Sequence, residues 1–258
     1  MNELSKRIVT AAVLLLAVYG WYVYLASPWF ELGLALIGLA ASCELVMLVK
    51  LRQSALYMLT ALALWIAFAL HPGIELLLLG CFGWFALFVI GSRTNPASFA
   101  DFFAAIWMLG WVFVFALAIA QTHASTAGQG LIIGACLAVW VSDSAAYFVG
   151  KAIGKNKLCP AISPGKSVQG ALGGLLFGVP VAVASWLYWD VMSVFAAIML
   201  AMLTVVAGMF GDLSESAVKR MVGAKDSGRI LPGHGGILDR IDAIIMAVPV
   251  AWLLWSMQ

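Results

Sequence analysis

Long apolar runs separated by short polar loops dominate the pattern of this chain. Counting runs that could cross about 30 Å of hydrocarbon predicts about nine helices. We place them near residues 8–25, 29–49, 54–70, 74–91, 101–121, 130–150, 169–188, 191–211 and 237–256. The eighth can continue as a helix beyond Asp212, and a re-entrant hairpin would lower the count to eight. The pattern predicts an all-α, polytopic integral membrane protein.

Composition points to the same class. Of the 258 residues, 64% are hydrophobic and only 10% are charged, whereas a soluble domain carries about 25% charged residues. The net charge is +2, and the basic residues are explained as loop anchors beside anionic headgroups. We therefore expect the lipid bilayer as a partner and no nucleic acid.

The basic residues give the orientation of the predicted helices. All 14 Lys and Arg residues lie before the first span or in the loops after the second, fourth, sixth and eighth spans. The intervening loops have none. Because Lys and Arg accumulate on the cytoplasmic side of a membrane, we expect a cytoplasmic N-terminus and an external C-terminus.

The chain divides by chemistry into two regions. Residues 1–100 form aromatic-rich spans with few internal polar groups, which we expect to act as a scaffold, a dimer contact or a lipid-facing surface. Residues 101–258 carry the polar clusters and form the predicted catalytic region. Glu44 is the polar exception in the first region, and we expect it to face the membrane interface or to pair with Lys50 or Arg52.

The segment from Asp212 to Asp242 holds ten of the 26 charged residues, which are 14 basic and 12 acidic. Charge beside apolar helices is costly and marks a functional site. Asp239 and Asp242 are three residues apart and share a helical face, where they would repel unless a cation lay between them. Mg²⁺ takes one or two carboxylates together with phosphate oxygens. The spacing favours a metal–phosphate site, and a structural salt-bridge cluster with Lys219 and Arg240 is the alternative.

Two upstream clusters reach the same face of the membrane in this topology. Asp143 lies within the sixth span with Tyr147 one turn further on, so it should face a cavity, a metal or a lysine rather than lipid. Hydrogen bonding between helices is the alternative. Ser163, Lys166 and Ser167 precede the seventh span, where an ammonium and hydroxyls can form a phosphate site. An anchor that extends to the headgroups is the alternative for Lys166.

A glycine-rich stretch, Pro232-Gly233-His234-Gly235-Gly236, precedes the last span. Its backbone N–H groups could approach a ligand closely. We expect His234 to contact phosphate or nucleotide rather than a metal, because no second His or Cys is spaced for zinc. An ordinary loop before a helix is the alternative.

The motifs of these clusters resemble the signature of the phosphatidate cytidylyltransferases, or CDP-diacylglycerol synthases. The matching positions are Ser216-x-x-Lys219-Arg220, Lys225-Asp226-x-Gly228, Pro232-x-His234-Gly235-Gly236 and Asp239-Arg240-x-Asp242. The segments from Ser142 to Gly150 and from Ser163 to Gly170 also resemble the family. They depart from its commonest form at Ser167, where Thr is usual, and at Gln169, where Glu is frequent. Gln169 has no charge for a metal or base role.

The resemblance implies transfer of a cytidylyl group from CTP to phosphatidic acid, giving CDP-diacylglycerol and pyrophosphate in phospholipid biosynthesis. It implies Mg²⁺, either as two divalent ions or as one with a monovalent ion, held by Asp212, Asp239 and Asp242. Lys219 joins these three as the predicted catalytic set. The predicted substrate contacts are Asp143, Tyr147, Ser163, Lys166, Arg220, Lys225, Asp226, His234, Gly235, Gly236 and Arg240.

The resemblance further implies a homodimer in the bacterial inner membrane, with the site open to the cytoplasm. Two related activities are alternatives: a cytidylyltransferase for a different lipid phosphate and a CTP-dependent polyprenol kinase. An ion-coupled transporter is less favoured, because its charges would lie near the bilayer midplane in both halves of the chain.

Overall fold

The computed structural model describes residues 18–51, 53–91, 96–228, 230 and 235–257. Most of them are helical, which confirms the predicted all-α class. The helices are α1 (residues 18–24), α2 (Trp29–Val49), α3 (Ser54–Leu70), α4 (Glu75–Gly91), α5 (Pro96–Thr122), α6 (Thr126–Ile153), α7 (Val168–Tyr188), α8 (Val194–Met221), α9 (Leu238–Ile241) and α10 (Ile244–Trp255).

The helices have the length and surface of membrane spans. Within the described residues, α2, α6, α7, α8 and the Phe99–Thr122 part of α5 are long and apolar enough to cross a bilayer, and α3, α4 and α10 are shorter apolar helices. Large apolar side chains such as Leu78, Phe82 and Leu176 are 71%, 72% and 68% exposed, as lipid contact requires. The chain is an integral membrane protein. The first predicted span begins outside the described residues.

Two predicted boundaries change in the structure. Helix α8 continues through Asp212 to Met221, as the sequence allowed. The last predicted span, 237–256, contains α9 and α10, and its helical hydrogen bonding is interrupted at Asp242 and Ala243, whose backbone angles remain helical. At the break the Asp242 carboxylate accepts the N–H of Ala243 at 2.8 Å, and such local bonds compete with helical ones.

A small β-hairpin between α6 and α7 was not predicted. Strand β1 (Lys157–Cys159) pairs antiparallel with β2 (Ser163–Ser167). The amide oxygen of Gln169, at the start of α7, accepts the N–H groups of Lys155 and Asn156, both at 3.1 Å. This places Gln169 as a backbone anchor for the hairpin, in agreement with its lack of charge.

Helix α7 packs closely on α6 along a row of glycines. Gly170, Gly174 and Gly178 are four residues apart and therefore share one face. A Cβ at Gly174 would lie 2.6 Å from Ser142 Oγ, and one at Gly178 would lie 2.9 Å from the Ala138 carbonyl oxygen. Small residues of this kind let membrane helices approach at backbone distance. The row fixes the hairpin end of α7 against α6.

Buried tryptophans fill the interior between helices. Trp65 and Trp186 are 1% and 0% exposed. Their indole N–H groups donate to Ser42 Oγ at 2.9 Å and to the Leu131 carbonyl oxygen at 3.0 Å. Satisfied donors are needed where water is absent.

Candidate active site

A cavity of about 600 Å³ lies where α6, α7, α8 and the hairpin meet. Its walls combine acidic groups with ammonium groups. The charged and hydroxyl-bearing lining residues are Asp143, Tyr147, Lys151, Lys157, Ser163, Lys166, Ser167 and Asp212. The structure thus brings together the two upstream clusters and the start of the charge-rich segment.

Lys166 and Asp212 form the central ion pair of this cavity. Lys166 Nζ lies 2.5 Å from Asp212 Oδ2, and the two side chains are 28% and 26% exposed. Ser216, one turn further along α8, donates its hydroxyl to Asp212 Oδ1 at 3.3 Å. Asp143 lies near enough to interact with both charges of the pair. Lys166, on strand β2, therefore points into the cavity and does not extend toward the headgroups.

A second group of charges, which we call the Lys219 cluster, consists of Lys219, Glu215 and Asp239. The Lys219 ammonium lies 2.6 Å from Glu215 Oε2 and 2.7 Å from Asp239 Oδ1. Asp239 Oδ2 also accepts the N–H groups of Ser227 and Gly236, both at 2.9 Å. Partial burial opposes ionisation of Asp239, but Lys219 and these two donors outweigh it and lower the pKa to about 2. Asp239 is therefore a carboxylate with its oxygens engaged.

Asp242 lies in a different environment, between α9 and α10. Helix α8 passes directly against it, since a Cβ at Gly211 would collide with the Asp242 carbonyl oxygen. Burial raises the pKa of Asp242 to about 7, and the negative charges of Asp212 and Asp143 add to this effect. These neighbouring carboxylates carry more negative charge than Lys166 balances, which is the condition in which a bound cation is favourable.

A divalent ion would need further ligands at this position. Within the described part of the chain, no three His, Cys, Asp or Glu side chains are arranged to hold a metal by themselves. Asp212 and Asp242 can supply two carboxylates, and Mg²⁺ commonly completes such a set with phosphate oxygens of a ligand. The donor set thus fits an ion that binds together with a phosphorylated ligand.

Several predicted contacts lie in the last turn of α8 and in the segment that follows it. Arg220 donates to the carbonyl oxygens of Ile162 and Ala224, at 3.4 and 3.1 Å, and so ties the hairpin turn to the end of α8. Lys225 and Asp226 are exposed and do not line the cavity.

The remaining predicted contacts lie around α9. Gly235 has a φ of +84°, a left-handed value that favours glycine. Gly236 is buried and Arg240 is exposed. His234 lies outside the described residues.

Two functional candidates were missed from the sequence. Glu215 precedes Lys219 by four residues, a spacing that predicts an ion pair on one helical face, and the structure contains that pair. Glu44 was expected to face the membrane interface or to pair with Lys50 or Arg52. The first expectation is wrong because the Glu44 side chain is 0% exposed, and Arg52 lies outside the described residues. The Glu44 carboxylate accepts the N–H of Leu238, 194 residues away, a contact without any local sequence signal.

The helical bundle and its charged cavity define a class: a polytopic membrane protein with a polar site suited to phosphorylated ligands. Residues 5–257 match the Cytidylyltransferase family. The chain belongs to that family.

Two relatives in the family match nearly the whole chain, and a third matches half of it. The phosphatidate cytidylyltransferase of Haemophilus influenzae is 32% identical over 280 residues, which cover 95% of this chain and 96% of that protein. The phosphatidate cytidylyltransferase of Pseudomonas aeruginosa is 36% identical over 265 residues, which cover 98% and 97%. That of Bacillus subtilis is 44% identical over 131 residues, which cover 50% and 49%.

Proposed function

We propose that this chain transfers a cytidylyl group from CTP to phosphatidic acid, giving CDP-diacylglycerol and pyrophosphate. Similarity to phosphatidate cytidylyltransferases over almost the full length of the chain supports the reaction. The observation that carries the proposal is the cavity, in which ammonium groups and carboxylates meet at one end of a membrane bundle. Such a site can receive phosphates from both a nucleotide and a lipid.

The reaction brings two anions together. An oxygen of the lipid phosphate attacks the α-phosphorus of CTP, a new P–O bond forms, and the bond from the α-phosphorus to the bridging oxygen breaks as pyrophosphate leaves. Positive charge fixed around the phosphates is the main requirement of such a transfer. Lys151, Lys157 and Lys166 line the cavity and can supply it. No covalent intermediate with the protein is needed.

We assign Mg²⁺ binding to Asp212 and Asp242, with Asp143 assisting, and a second divalent or a monovalent ion can share the site. When bound, Mg²⁺ neutralises charge on the phosphate oxygens. Asp239, the third predicted ligand, would have to give up a contact with Lys219, Ser227 or Gly236 to join them.

The loop between α8 and α9 is assigned to the nucleotide. Its exposed Lys225 and Asp226 can reach ligand outside the cavity. The His234-Gly235-Gly236 stretch offers an imidazole and backbone N–H groups, of which that of Gly236 already donates to Asp239. Arg220 is adjacent to the hairpin turn, where it can add positive charge.

The number of spans, their orientation in the membrane and the oligomeric state are part of the same proposal. Nine spans with a cytoplasmic N-terminus would place the cavity at the cytoplasmic face of the inner membrane, where CTP is found. The lysines of the cavity support this orientation, since basic residues favour that side. The acyl chains would stay in the bilayer, and two copies of the chain would form a homodimer.

The test follows cytidine-labelled CTP into chloroform-soluble product with purified protein, Mg²⁺ and phosphatidic acid in mixed micelles. We expect labelled lipid with phosphatidic acid and none with diacylglycerol, which lacks the attacking phosphate. Asp242→Asn should lower the rate of labelling by about 10²–10³-fold. Glu75→Gln, which removes an exposed carboxylate at the first residue of α4, is the matched control and should leave the labelling unchanged. Labelling by Asp242→Asn at the wild-type rate would overturn the assignment of that carboxylate to Mg²⁺ binding.

A further inference from the structure

Glu44 is a fully buried carboxylate from the N-terminal region of the chain. It lies on α2, and its side chain is 0% exposed. Its Oε2 accepts the N–H of Leu238 at 3.1 Å and faces the Ser227 hydroxyl at 3.4 Å. Ser227 lies in the loop that joins α8 to α9, and Leu238 is the first residue of α9, where that loop ends. A helix outside the cavity walls therefore holds both described ends of this loop.

The loop backbone closes directly over the Glu44 carboxylate. A Cβ at Gly228 would lie 2.6 Å from Glu44 Oε1, and a Cβ at Gly236 would lie 2.6 Å from Glu44 Oε2. Real Cβ atoms do not approach other atoms this closely, so only glycine fits at either position without a shift. The close fit makes the loop conformation depend on where the carboxylate lies.

The same stretch of backbone also contacts the Lys219 cluster. Ser227 donates its N–H to Asp239 while its hydroxyl faces Glu44. Gly236 donates its N–H to Asp239 while its Cα lies against Glu44. One face of this backbone thus contacts Glu44 and the other contacts Asp239, which is paired with Lys219.

We propose that Glu44 is a positioning residue for the active site: it holds the loop between α8 and α9 so that Asp239, Lys219 and Asp242 keep their places. This inference rests on the proposed function for its activity measurement. It also assigns α2 a part in the site, beyond the scaffold, dimer or lipid contact expected of the first hundred residues. Glu44 acts through the loop and touches no reacting group.

Two substitutions of Glu44 separate a change that keeps the hydrogen-bond acceptor from one that removes it. Glu44→Gln keeps an oxygen that can accept from Leu238, so we expect it to retain most activity. Glu44→Ala removes the acceptor and leaves the Leu238 N–H buried without its partner. We expect its kcat to fall by about 100-fold, the size of loss that small misplacements of catalytic groups cause.

Ser42→Ala is the matched structural control. Ser42 lies two residues before Glu44 on the same helix, is 0% exposed, and accepts a hydrogen bond from Trp65 rather than from the loop. This variant disturbs the packing of α2 on α3 without reaching the site. We expect a lower unfolding temperature with wild-type kcat per folded molecule.

The decisive measurement combines that kcat with hydrogen exchange of the full-length protein in detergent, read on peptides that contain Ser227, Gly236 and Leu238. In Glu44→Ala we expect these amides to exchange at least about tenfold faster because their anchor is lost, whereas Ser42→Ala should leave them at the wild-type rate. If Glu44→Ala does not fold, Glu44→Gln and Ser227→Ala take its place and should show smaller changes in the same direction.

The outcomes separate the two proposals. Wild-type kcat per folded molecule in Glu44→Ala, or wild-type exchange of the loop amides, would overturn the positioning role. Equal loss of kcat in Ser42→Ala would also overturn it, because general loosening of α2 would then suffice. Absence of cytidylyl transfer by the wild type would instead count against the proposed function, and the exchange comparison would still test the Glu44 contact.

Discussion

Replacing Lys219 with Met tests whether the Lys219 cluster supports the fold as well as the reaction. The change removes an ammonium that lies 2.6 Å from Glu215 and 2.7 Å from Asp239. Glu215 is only 1% exposed, so its charge would remain buried beside a second carboxylate. Removal of one partner from a buried pair costs about 3–5 kcal/mol. At roughly 2–4 °C per kcal/mol for a chain of this size, we expect Tm to fall by about 6–20 °C.

The design includes a compensating change and a control. Adding Glu215→Gln to Lys219→Met removes the charge left behind, and should recover part of the lost Tm. Lys151→Met, which removes an exposed ammonium from the cavity wall, should leave Tm within about 2 °C of the wild-type value, as surface changes usually do. Thermal unfolding of the detergent-solubilised protein gives Tm, and kcat is measured at a temperature where every variant is folded. A wild-type Tm in Lys219→Met would refute the structural role and leave the predicted catalytic role as the only one for Lys219.

Three further predictions concern the metal, the hairpin and the helix packing. Asp242→Asn should lower kcat by about 10²–10³-fold, and an unchanged Mg²⁺ dependence and kcat would contradict the assignment. Gln169→Ala removes the acceptor of two backbone N–H groups and should lower the free energy of unfolding by about 1–3 kcal/mol, measured by thermal unfolding. Gln169→Glu keeps an accepting oxygen and should leave that free energy unchanged. Gly174→Val would place Cβ 2.6 Å from Ser142 Oγ and should lower the free energy of unfolding by about 1–3 kcal/mol. Gly110→Ala, with no atom within 4 Å of its added Cβ, is the control. Equal stability of the two variants would argue against close packing of α7.

The helices were predictable because each is encoded by its own apolar run. The predicted bounds of α2 and α3 agree with the structure. A helix in lipid satisfies its backbone hydrogen bonds within its own segment and needs no distant partner for them. The break at Asp242 depends on a local hydrogen bond and on close contact with Gly211. Hydropathy contains neither of these.

The site was predictable where charge lies within one segment. Asp143, Lys166 and Asp212 were expected at one face of the membrane, and the structure places all three in one cavity. The hairpin that delivers Lys157 to the same cavity was missed, because its three- and five-residue strands lack an alternating apolar pattern.

The contact made by Glu44 could not be predicted from one sequence. Its partners Ser227 and Leu238 are 183 and 194 residues away, and a single acidic residue near a helix end ordinarily belongs at the membrane interface. Only the packing of α2 against α9 brings them together.

In the proposed reaction the cytidylyl group, and not the terminal phosphate, moves from CTP to the lipid. Two parallel assays distinguish these transfers, with phosphatidic acid, Mg²⁺ and CTP that carries ³²P at either the α- or the γ-phosphate. We predict that α-label enters the chloroform phase as CDP-diacylglycerol while γ-label stays in the aqueous phase as pyrophosphate. Transfer of γ-label to lipid would show a kinase, and absence of lipid label from either substrate would contradict the proposed activity.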